Sequence, residues 1–101
     1  MASMPGGLVE DKEADQSVQT LIEQVREALE TKAGKTFSQY KAVTYRTQVV
    51  AGTNYFVKVQ VDADEYVHLR VFKPLPNENR LPELSAYQLC KTKDDELQFF
   101  S

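Results

Sequence analysis

The chain has 101 residues, 42% of them hydrophobic and 27% charged, with 12 basic against 15 acidic side chains and a net charge of −3. Those proportions suit one soluble domain around a single core. They argue against a nucleic-acid binder, because the basic residues are scattered and the aromatics follow strand alternation instead of forming a basic stacking face. No apolar run is long enough to span a bilayer. The start lacks a basic region followed by an apolar one, so no secretory signal is read. Cys90 is the sole cysteine, which rules out an internal disulfide and fits a reducing compartment.

Residues 1–7 are small and glycine-rich and are expected to be a flexible tail that orders on binding. Leu8 and Val9 are placed to start a short strand. From about residue 15 to residue 33, Val18, Leu21, Ile22, Val25 and Leu29 recur at spacings of three and four. Gln19, Glu23, Glu27 and Glu30 fall on the polar flanks, so this reads as one amphipathic helix roughly 28 Å long. Asp15 suits its N-cap and Gly34 its C-terminal stop.

Strands are expected at about 40–51, 54–62 and 66–73. Val43, Tyr45 and Thr47 alternate in the first, and Tyr55, Val57, Val59 and Val61 in the second. Asp62-Ala63-Asp64-Glu65 is a polar turn. In the third strand Val67, Leu69 and Val71 face one way, and Tyr66, His68 and Arg70 the other. Pro74, Pro76 and Pro82 mark a connection that cannot be a central strand. A last strand covers about 85–91, with Leu97-Gln98-Phe99-Phe100 placed to continue it after a charged bend. The expected class is α+β, an antiparallel sheet packed on one helix.

The first two strands form a hairpin whose tip is Gln48-Val49-Val50-Ala51-Gly52. Hairpin tips are normally polar because they project into water. Val49, Val50 and Ala51 cannot readily bury themselves in their own core, so an apolar tip points to a partner's groove. Gly52 permits a tight return, with φ > 0 open to it.

This pentapeptide resembles the first inhibitory loop of the cystatin superfamily. Pro5-Gly6-Gly7-Leu8, Asn54-Tyr55, His68-Leu69, Val71-Phe72-Lys73, Leu75-Pro76 and Asp94-Asp95-Glu96-Leu97 look like positions of the stefins, the small type 1 cystatins, in stefin order. The resemblance runs from about Met4 to the C-terminus. It implies a cystatin-like fold, a sheet of four or five strands wrapped around one long helix. The whole of residues 1–101 would be one stefin-type domain, with residues 1–7 as an N-terminal trunk. It also implies a cytoplasmic location.

The residues themselves do not describe an enzyme. Cys90 and His68 have no evident orienting acid or oxyanion hole, and a nucleophilic pair needs a base within hydrogen-bond reach. A lone His with a lone Cys lacks metal-ligand spacing. The acidic run Asp94-Asp95-Glu96 lacks the alternation and central glycine of a calcium loop. No cofactor is expected; Cys90 reads as a packing or surface residue and His68 as a sheet-surface residue.

The resemblance assigns three contact elements instead. Glycine at Gly6, with Gly7 as fallback, would let the trunk pass close to a protease surface. Gln48, Val49, Val50, Ala51 and Gly52 would enter the middle of a cleft. Leu75-Pro76-Asn77 would form a second contact loop stiffened by proline, with Asn77 where many family members carry Gly or His. The implied function is reversible, tight-binding, competitive inhibition of papain-like cysteine proteases (papain and cathepsins B, H, L and S) by wedge-like occlusion. The implied state is a monomer that can exchange strands into a domain-swapped dimer. The other reading is a cystatin-fold interaction module or engineered binding scaffold with a different target.

Overall fold

Asp15 opens the helical segment as its sequence predicts. In the computed structural model of the chain its carboxylate accepts the backbone N–H of Val18 at 3.1 Å and the Ser17 hydroxyl at 2.6 Å. The helix runs from Gln16 to Gln24 (α1), turns once at Val25, and resumes from Arg26 to Ala33 (α2). Gly34 ends it with φ 73°. The break corrects the single helix expected over this stretch. At Val25 (φ −110°, ψ 6°) the N–H bonds to the carbonyl of Ile22, three residues back. No proline or glycine marks the place. Val18, Leu21, Ile22, Val25 and Leu29 are all buried, so one apolar stripe continues across the break. Packing of that stripe outweighs continuity of the hydrogen-bond ladder.

The structure describes residues 10–98 and residue 100. The trunk expected at residues 1–7 and the strand start at Leu8 and Val9 lie outside them. Five antiparallel strands follow one another across the sheet in chain order. They are β1 (Lys12–Glu13), β2 (Lys41–Val50), β3 (Gly52–Gln60), β4 (Tyr66–Lys73) and β5 (Glu83–Lys91). β1 is short and charged, and only its pairing with Tyr45 and Thr44 makes it a strand.

The helical pair covers one face of the sheet. Val57, Val59, Val61, Val67, Leu69, Val71 and Leu84 meet the helix stripe there. Gln19, expected on a polar flank, clips helix to sheet: its amide donates to the Tyr40 carbonyl at 2.9 Å and accepts from the Ala42 N–H at 2.8 Å. A bulge between Ala42 and Thr44 shifts the alternation of β2. Ala42 therefore shares the core face with Tyr45, while Val43 is only half-buried, contrary to the uninterrupted alternation expected for Val43, Tyr45 and Thr47.

The other face is covered by the C-terminal segment, which does not extend β5 as expected. Residues 92–98 form no strand. They turn back over the sheet, where Leu97 is fully buried. Lys58 donates to the Lys93 carbonyl and Arg46 to the Leu97 carbonyl, both at 2.7 Å. Phe56 meets Phe100 edge to face at 5.6 Å. Arg46 also reaches Asp11 at 3.4 Å, so one guanidinium holds the segment entering β1 and the segment leaving the sheet.

Candidate functional site

The β2–β3 turn and the β4–β5 connection lie at the same end of the sheet. Pairing continues to Val50 opposite Gly52, so Ala51 alone turns the chain. Below it, Gln48 pairs with Asn54, whose buried side-chain amide donates to the Gln48 side-chain oxygen at 3.0 Å. This clip braces the base of the hairpin.

Gly52 is required twice over. Its φ of 123° is a conformation that L side chains rarely adopt. A Cβ there would also lie 2.7 Å from the Lys73 carbonyl oxygen and 2.8 Å from the Phe72 ring. The tip thus leans on the end of β4. Val49 and Val50 remain 69% and 43% exposed, and Ala51 is exposed as well.

Beside the tip, Leu75 is 44% exposed. Leu75-Pro76-Asn77 is tighter than a plain loop: Pro76–Glu78 is a turn of 3-10 helix, with the Glu78 N–H donating to the Leu75 carbonyl at 3.0 Å. Proline suits the first position of such a turn because its fixed φ is already helical and it needs no donor there. Asn79 follows at φ 51°. Arg80 pairs with Glu78 at 3.0 Å and lies 5.8 Å from the Phe72 ring centroid.

The structure brings Gln48, Val49, Val50, Ala51, Gly52, Leu75, Pro76 and Asn77 to one edge. Gly6 and Gly7 fall outside the described residues, but the segment that follows them is anchored: Ala14 donates to the Val43 carbonyl at 3.0 Å, and Asp11 pairs with Arg46. Sequence reasoning passed over Leu81, the most exposed large apolar side chain among the described residues at 80%. A leucine between Arg80 and Pro82, in a polar connection with no strand to bury it, was the available signal.

Cys90 and His68 have separate surroundings. Cys90 is exposed at a bulge of β5, at φ 59°. His68 is not a surface residue as read from its strand parity, but is 1% exposed beneath the C-terminal segment. Burial, with Lys58 and Lys91 nearby and Asp95 opposing them, lowers its pKa from 6.5 to about 4. It is therefore neutral near pH 7. Among the described residues no three His, Cys, Asp or Glu side chains converge on a metal-sized site.

The cystatin domain model matches residues 6–97, nearly the whole chain. The chain belongs to the cystatin family. This cystatin is 50% identical over 97 residues to Cystatin-A1 of Sus scrofa, covering 96% of this chain and 94% of that one. It is 47% identical to Stefin-C of Bos taurus over 95 residues, 94% of either chain. It is 46% identical to Leukocyte cysteine proteinase inhibitor 1 of Sus scrofa over 97 residues, 96% of this cystatin and 94% of the relative. No helix among its described residues is long and apolar enough to cross a membrane.

Proposed function

We propose that this cystatin is a reversible, tight-binding, competitive inhibitor of papain-like cysteine proteases, not an enzyme. The carrying observation is the exposed apolar tip of Val49, Val50 and Ala51 on a hairpin whose Gly52 packs closely against the end of β4. A preformed tip loses little conformational freedom on docking, so an interface of about 800 Å² per partner is enough for tight binding. Gln48, Val49, Val50, Ala51 and Gly52 enter the cleft centre. Leu75, Pro76 and Asn77 cover one side, and the trunk, passing at Gly6 or Gly7, covers the other. The protease thiolate meets no peptide bond at attacking geometry. Papain and cathepsins B, H, L and S are the targets in this reading, and the cytoplasm is where the protein would meet enzyme that has escaped its compartment.

Titration of active papain tests the reading. The parent should inhibit at close to one molecule per enzyme. Val49→Asp should weaken inhibition at least tenfold, because it presses an unpaired charge against an apolar wall. Parent protein that leaves papain fully active at excess would defeat the proposal.

A further inference from the structure

Large exposed apolar side chains are confined to one end of the described fold: Val49, Val50, Leu75 and Leu81. The proposed function uses the first three. Leu81 is the most exposed, yet it does not sit on a loose segment. Arg80, just before it, is held by Glu78 and the Phe72 ring. Half-buried Pro82 follows, and Glu83 then enters β5 opposite Phe72. Side-chain contacts of Arg80 flank it on one side and the start of β5 on the other, while the Leu81 side chain stands in water. Strand order fixes where it stands. β1 lies at one border of the sheet and β5 at the other, so along the inhibitory edge the N-terminal arm, the tip, Leu75 and Leu81 succeed one another. Leu81 is farthest from the arm.

We propose that Leu81 is an additional anchor of this edge, seated on an apolar patch of the protease cleft wall at the end opposite the trunk, and that it sets which proteases are held longest. The occupant is the protease already engaged by the tip, since Leu81 stands in the same β4–β5 connection as Leu75, at the same end of the sheet. The proposal rests on the inhibitory reading above. Leu81 would bury only part of its side chain, so its loss costs less than full burial of a leucine and corresponds to about a threefold to tenfold change in affinity. Contacts of this kind act mainly on dissociation.

The experiment measures association and dissociation rates of the parent, Leu81→Ala, Leu81→Met and Val49→Asp with papain, cathepsin B and cathepsin L. Leu81→Ala should dissociate about threefold to tenfold faster from at least one of them, at an unchanged association rate and an unchanged urea midpoint. Leu81→Met should restore slow dissociation. If Val49→Asp weakens binding while Leu81→Ala matches the parent on all three enzymes, the Leu81 assignment falls and the inhibitory reading stands. If the parent itself binds none of them, the inhibitory reading falls and takes this proposal with it.

Discussion

At Gly52 two independent constraints meet on one atom that is absent. A methyl group would need both a backbone conformation that costs about 1–3 kcal/mol outside glycine and space already taken by the Lys73 carbonyl and the Phe72 ring. The carbonyl belongs to a paired strand and cannot swing aside. Gly52→Ala should therefore lower unfolding free energy by about 1–3 kcal/mol in urea titration, and should weaken papain inhibition as well, because the tip must lift off β4 to admit the methyl. Parent-like stability and inhibition together would show that the turn has an alternative the structure does not reveal. Gly34 makes an instructive contrast. It has φ 73°, yet nothing lies within 4 Å of a Cβ built there, so only the conformational part of the cost applies.

Among the elements, the C-terminal segment has the clearest energetic signature. By covering the outer face of β3 and β4 it buries Phe56 and His68. Its own bend is held by the Asp95 carboxylate, which accepts the Thr92 N–H at 2.7 Å and has its pKa lowered chiefly by that bond. Beneath the segment, His68 takes up a proton only near pH 4, whereas the unfolded chain does so near 6.5. Between those values the unfolded state carries the extra proton, so stability falls as pH falls from 6.5 to 4 and this contribution levels off below. The lowered carboxylates Asp15, Glu30 and Asp95 act in a more acidic window. Their stabilisation is present above the ordinary carboxylate range and disappears as pH drops through their folded pKa values. Urea midpoints measured across pH 4–7 should decline toward acid in the parent, and His68→Gln should flatten that decline. An identical slope in both proteins would remove His68 as its source.

For the molecule as a whole, strand exchange is the expected route to a dimer. If β2 and β3 straighten through Ala51 and pair between two chains, the hairpin becomes one continuous strand. The dimer should then lose papain inhibition, because Val49, Val50 and Ala51 no longer form a projecting turn. Mild heating followed by size-exclusion chromatography and assay of each peak checks this, and a dimer as inhibitory as the monomer would contradict it.

Much of this architecture was legible in the chain. Alternation located β2, β3 and β4, Asp15 and Gly34 bracketed the helical segment, and the apolar Val49-Val50-Ala51 tip stood out against the polarity usual for turns. What escaped depends on distant partners. The same spacing of Val18, Leu21, Ile22, Val25 and Leu29 serves a straight helix or one broken at Val25. Lys12 and Glu13 carry no strand pattern until β2 lies beside them. The apolar run at Leu97 says that something must be covered, but whether by pairing or by folding back is decided by Arg46 and Lys58, far away in sequence.

The double hold of Arg46, on Asp11 and on the Leu97 carbonyl, has a practical side. Cargo tethered after Leu97 would start from a point held close to Asp11, beside the segment entering β1. Residues 62–65 form a polar turn closed by the Asp62 and Glu65 backbone groups, at the end of the sheet remote from Ala51. A dye, an affinity handle or a solid support mounted there sits at the opposite end of the sheet from the exposed Val49, Val50 and Ala51 tip.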